Sequence, residues 1–187
     1  TGNASGAGVF TIASPDSATD RTLTLPDETG TVDTLSRAGN VLQVVSATKT
    51  DTETKTNTTY EDVSGLSLSI TPTSASSKIL VLVTAMINPA NARGVQWKLV
   101  RDTTDIAVNT ASNPSTGGGY STEATSAGGS WVGTSVNHLD SPATTSEVTY
   151  KIQSRISSTG YPYGINRRAV ANDFGGVSAI TLMEISA

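Results

Sequence analysis

The chain has 187 residues, 15% of them charged, a net charge of −4, a single histidine and no cysteine. That length suits one core with a small appendage. The missing cysteines exclude disulfides and thiolate metal sites, and the charge balance gives no electrostatic footprint for nucleic acid or an anionic membrane.

Thr (30 residues) favours strands and Ser (24 residues) favours turns, which points to a loop-rich β protein. No run reaches the ~18 apolar residues of a spanning helix, so no membrane insertion is expected. The sequence begins at Thr1 without Met or signal peptide, as expected of the C-terminal part of a longer or processed polypeptide. Residues 1–40 read as a separate segment and junction. Phe10, Ile12, Leu23, Leu25 and Val32 recur at strand period between turn signals such as Ser14-Pro15-Asp16 and Pro26-Asp27-Glu28. They are too few to form a core within one chain. Leu35–Asn40 allows a short helical turn.

Residues 41–187 read as a second domain of recurring strands. Val41–Thr50 is the first, followed by a polar stretch, Asp51–Thr59, that suits an edge or loop. Leu66–Ile70 alternates cleanly. Thr71–Ser77 is a turn into Lys78–Ile87, the most apolar stretch of the chain. Asn88–Asn91 closes that strand, and Val95, Trp97 and Leu99 alternate in the next. A tight turn at Asp102–Asp105 leads to a short return strand, Ile106–Val108. Asn109–Ser130 reads as a long irregular loop whose glycines, Gly117–Gly119 and Gly128-Gly129, are flexible-loop glycines; a strand is possible near Tyr120–Thr125. Further strands follow at Trp131–Leu139, Val148–Ile156, Tyr163–Arg167 and Val177–Ile185. Such spacing matches an antiparallel β-sandwich or jelly roll.

Two strands break the in/out rule of a half-wet sheet. Lys78–Ile87 carries Ile79, Val81, Val83, Ala85 and Ile87 on one face and Leu80, Leu82, Thr84 and Met86 on the other. Val177–Ile185, with Leu182 and Met183, behaves similarly. An outward apolar stripe marks an interface, although a covering loop or layer within one chain also accounts for it. The N-terminal segment needs partners too, and strands wrapped on an axis favour three chains over an isologous dimer. The subunit-interface candidates are Leu23, Leu25, Leu80, Leu82, Met86, Leu182 and Met183.

The stretch from Gly8-Val9-Phe10-Thr11-Ile12 through Arg21-Thr22-Leu23-Thr24-Leu25-Pro26-Asp27-Glu28-Thr29-Gly30-Thr31-Val32 resembles a segment common in bacteriophage tail-fibre and related virion proteins. Tyr60–Leu66, Ile70-Thr71-Pro72, Ser77–Val81, Leu139-Asp140-Ser141-Pro142 and Ile180–Ile185 are similar to the globular domain often attached to it. The resemblance implies an all-β homotrimeric fibre: an intertwined β-stalk segment, then a jelly-roll-like β-sandwich knob. It leaves open whether the fibre sits on the tail or on the head surface of the virion. Its partners would be itself, a host-surface glycan or protein, and other virion proteins bound through a preceding part of the polypeptide.

Catalysis would need a placed nucleophile or acid pair. His138 shares a face with Val132 and Val136 and reads as a packed or interface histidine. Asp102 and Asp105 supply no full calcium loop, and the glycine runs lack the lysine of a phosphate loop. No enzyme activity, metal or cofactor is expected. Binding is the better reading, because loops on a rigid scaffold carry function. Tyr120, Trp131, Tyr161 and Tyr163 can stack on sugar rings. Asn166, Arg167 and Arg168 can bond sugar hydroxyls. The bland alternative for Trp131 and Tyr163 is the core.

Overall fold

Eleven strands and no helix make up the described part of the computed structural model, which covers residues 37–89, 93–120, 133–169 and 175–187, together with Ala18. The strands are β1 Val41–Lys49, β2 Glu53–Lys55, β3 Glu61–Ile70, β4 Lys78–Pro89, β5 Gly94–Arg101, β6 Thr104–Ile106, β7 Gly117–Tyr120, β8 Gly133–Asp140, β9 Val148–Ile156, β10 Tyr163–Ile165 and β11 Ser178–Ile185. The chain divides into two units, Thr1–Val32 and Asp33–Ala187, and all of these strands belong to the second. The expected stalk strands, with Leu23 and Leu25, lie outside the described residues, as do Trp131 and the side chain of Tyr120.

The strands form two antiparallel sheets. Sheet one runs β1-β11-β4-β10-β2, with β8 on β4; sheet two runs β3-β9-β5-β6, with β7 on β5. β11 and β10 pair with successive stretches of β4, and β1 and β2 line them in turn. β6 and β7 likewise cover successive stretches of β5. Taking each interrupted strand as one path, the paths pair first with last and so inward, as β1 with β11, β3 with β9, β4 with β8 and β5 with β6 and β7. Successive pairs fall in opposite sheets, an antiparallel ribbon folded over on itself.

Strand period decides what lies between the sheets. Ile79, Val81, Val83, Ala85 and Ile87 of β4 face inward and are buried, with Ile180 and Leu182 of β11 beside them. Val95, Trp97 and Leu99 of β5 and Val148, Tyr150, Ile152 and Ile156 of β9 face them from sheet two. Each fully buried aliphatic side chain contributes ~1.5–3 kcal/mol. Leu182, expected at a subunit interface, therefore belongs to this core. It pairs with inward-facing Val81, and directly paired residues share a face.

The glycine run is not a loose loop. Gly117–Tyr120 is β7, paired with β5 from Gly94 to Trp97. A Cβ on Gly117 would stand 2.7 Å from Cε2, Cζ2 and Nε1 of the buried Trp97. We expect Gly117→Ala to cost about 1–3 kcal/mol through overpacking. Its urea midpoint should fall well below that of Gly133→Ala, where the new methyl meets only the Met86 sulfur at 3.3 Å.

Other differences from the sequence reading have local causes. β3 starts at Glu61 rather than Leu66, because a register shift between Asp62 and Ser67 absorbs Gly65, at φ 75°. The return strand is Thr104–Ile106, since Asp102 takes φ 53° and tightens the turn. Asn88-Pro89 continues β4 instead of ending it: Pro89 pairs with Tyr163, and Asn88 Nδ2 donates to the Arg167 carbonyl at 2.9 Å.

Glu184 is a buried carboxylate on the inner face of β11. It accepts from Gln43 Nε2 (2.6 Å), Thr73 N (2.8 Å) and Thr73 Oγ1 (2.7 Å), which ties the β3–β4 turn to sheet one. Burial pushes its pKa up, but these hydrogen bonds outweigh burial and hold it below the ordinary 4.5. The unfolded chain therefore takes up this proton first on acidification. The stabilisation is complete above pH 4.5 and is lost as pH falls through the native value. Glu184→Gln should flatten the decline of stability below pH 4.5 in urea titrations. Part of the slope will remain, because Asp51 and Asp62 are also shifted down.

Candidate functional site

The two outer faces of the sandwich differ in chemistry. On sheet one, register places Val44 opposite Met183, Met183 opposite Leu80, and Leu80 opposite Leu139. These four side chains form one apolar row across β1, β11, β4 and β8. Val44 is 53% exposed and Leu139 49%, large values for branched aliphatic side chains. Val41, 51% exposed, and half-buried Ile185 pair beside the row. The next row is Ser46, Thr181, Leu82 and Asn137, with the Ser46 and Thr181 hydroxyls 3.0 Å apart. Met86 lies further along, opposite Gly133. The only charge on this four-strand face is Lys78, at its end. Leu80, Leu82, Met86 and Met183 all occupy this outer face, half-buried.

The outer face of sheet two is polar. Gln96 lies opposite Arg155, and Lys98 opposite Gln153. Arg155 donates to Gln96 Oε1 from Nε (2.9 Å) and Nη2 (2.7 Å) and to the Thr58 carbonyl from Nη1 (3.4 Å). The Tyr60 ring sits 4.6 Å from Lys98 Nζ and 5.3 Å from Arg155 Cζ, and its hydroxyl donates to the Pro114 carbonyl at 2.7 Å. Burial raises the Tyr60 phenol, partly countered by Arg155. An open cleft of ≈ 640 Å³ lies along this face, lined by Gly94, Val95, Gln96, Asn113, Gly118, Gly119, Arg155 and Ser157.

Among the described residues, the aromatic and polar candidates do not converge on one patch. Tyr163 is wholly buried. Its hydroxyl donates to Asn57 Oδ1 (2.8 Å) and meets Ser154 Oγ (2.9 Å), and burial pushes its phenol up to about 12. Asn166 is also interior, at 0% exposure. Its Nδ2 donates to the Lys49 and Asp51 carbonyls at 2.7 and 3.1 Å, and its Oδ1 accepts from Ser178 Oγ at 2.6 Å. Neither side chain can present itself to a ligand: Asn166 satisfies polar groups at the breaks β1–β2 and β10–β11, and the Tyr163 hydroxyl is held inside between Asn57 and Ser154 of β9. Arg167 donates from Nε to the Arg168 carbonyl at 3.0 Å and forms an isolated bridge with Gly175. Tyr161 is half-buried, with the Arg93 guanidinium 4.2 Å from its ring centre. Tyr120 pairs through its backbone with Gly94, at the end of the cleft. His138 lies inward and half-buried, opposite Val81.

Tyr60, Gln96, Gly118 and Arg155 were missed by the sequence reading. Gln96 and Arg155 are the polar alternates of two correctly placed strands, so strand pairing was the absent signal. Among the described residues, no three His, Asp or Glu side chains converge as a metal site would require. No family model matches the chain, and no curated protein matches it.

Proposed function

We propose that the chain forms the jelly-roll knob of a homotrimeric bacteriophage fibre tip, a non-enzymatic part of the virion that meets a surface glycan or protein of the host during adsorption. The observation that carries this reading is the contrast between the two outer faces. One is nearly uncharged over four strands and carries a continuous apolar row, and such a row on an exposed surface marks contact with protein. The other is polar, charged and grooved, and remains available when the first is covered. The sequence resemblance supplies the kind of particle, with sheet one turned to sister copies and sheet two turned outward.

The test is saturable binding of the purified protein to susceptible host cells, competed by intact phage. Absence of binding to any susceptible host would remove the receptor role. Incubation with host polysaccharide should release no new reducing ends. A second reading, a head fibre or capsid decoration without a receptor role, draws on the fact that Arg155, Gln96 and Tyr60 already bond one another or nearby carbonyls. Antibody labelling of intact particles separates tail from head.

A further inference from the structure

We infer that the cleft on sheet two takes an acidic saccharide polymer, with the Arg155 guanidinium pairing a carboxylate or sulfate of the ligand. This rests on reading that face as the receptor face.

The cleft is a built feature of the sheet. Its floor is bare because Gly118, on the same outer face as Gln96, lies opposite it and carries no side chain. A Cβ on Gly118 would stand 2.7 Å from the Val95 carbonyl oxygen, so close strand packing keeps the floor free of side chains. The ≈ 640 Å³ of space falls within the ~300–1,000 Å³ of small-ligand clefts. Being open to solvent rather than enclosed, it suits a segment of a polymer better than a sequestered small molecule.

Charge selects the ligand class. The lysines of this face are each matched by a carboxylate: Lys98 with Asp105 at 2.7 Å and Lys151 with Asp62 at 2.9 Å. Arg155 has no carboxylate partner among the described residues. The Gln96 amide oxygen and the Thr58 carbonyl fix its orientation but bring no negative charge to it. A planar guanidinium held this way is suited to carboxylate and sulfate oxygens. Gln96 Oε1 is committed to Arg155, so the Gln96 Nε2 amide is left to donate. Asn113 and Ser157 add an amide and a hydroxyl for sugar hydroxyls. No carboxylate of the described residues lines the cleft to repel an anion.

The test measures binding of the purified full chain to three oligosaccharides of equal length: a uronic-acid oligomer, a sulfated oligomer, and the uronic-acid oligomer after carboxyl reduction. The expected result is binding of at least one acidic oligomer, weakened by added salt and at least ~10-fold tighter than that of the reduced form. Arg155→Gln should abolish this preference. Lys151→Gln, the same loss of charge at an already paired site, should keep it. Which acidic oligomer binds identifies the anion. If Arg155→Gln fails to fold, the comparison of acidic with reduced oligomers on the unaltered protein decides. Equal binding of acidic and reduced forms, or full preference in a folded Arg155→Gln variant, overturns the inference. Binding to host cells without binding to any acidic oligomer overturns it while leaving the receptor reading intact. Failure of both overturns both.

Discussion

Leu80→Asp should dissociate the assembly and leave each copy folded. Leu80 lies at the centre of the apolar row, between Met183 on one side and Leu139 on the other. Its side chain points away from the core, so in a lone copy the new carboxylate would reach water. In an assembly closed over that face it would be buried without a partner, once per subunit. Stranding a buried charge costs several kcal/mol. Even ~3 kcal/mol weakens association by more than 10². Leu82→Asp and Met183→Asp should act in the same way. Val81→Asp, one residue along the strand, should instead unfold the chain, because Val81 is wholly buried between the sheets. Sedimentation read beside far-ultraviolet circular dichroism separates these outcomes. If Leu80→Asp keeps the parent's mass, the outer face of sheet one is not the contact between copies.

Asn166→Ala should produce one of the largest losses of stability available from a single side chain in this fold. The strand paths β1–β2 and β10–β11 both break beside this residue. The Asn166 side chain caps the Lys49 and Asp51 carbonyls and holds Ser178 Oγ, which itself accepts from the Met86 amide at 2.9 Å. The Asn166 backbone donates to the Met86 carbonyl and accepts from Gly176 N. Alanine would strand several buried polar groups, at ~1–3 kcal/mol each. It would also occupy φ 57°, a left-handed conformation that asparagine tolerates better. The expected loss is about 3 kcal/mol or more in urea unfolding. Asn166→Gly should recover only the conformational part, roughly 1 kcal/mol. An alanine variant as stable as the parent would show that water can replace the amide.

The strands were legible wherever apolar residues alternate. Val148–Ile156 shows in sequence the pattern it shows in space, and so does the inward face of β4. Two kinds of feature were not legible. Strands held by close backbone approach carry no apolar pattern: β7 is mostly glycine, and only the position of Trp97 beneath it explains why. Polar residues serving internal breaks resemble surface residues in sequence, which is why Asn166 read as a candidate for sugar contact. Tyr163 posed the same ambiguity, since an aromatic beside a Pro suits a loop tip or a core anchor equally. The apolar row on sheet one was half legible. Leu80 and Met183 stood out within apolar strands, but Val44 and Leu139 join them only through register, which pairs Val44 with Met183 and Leu139 with Leu80 across long stretches of sequence.

Sedimentation equilibrium of the 187-residue chain decides whether three copies associate, on which the assignment of one face to sister copies and the other to the host depends. A particle of three chains is expected across the micromolar range, dissociated by Leu80→Asp. A stable monomer of the unaltered chain, with Val44 and Leu139 left in water, would contradict that assignment.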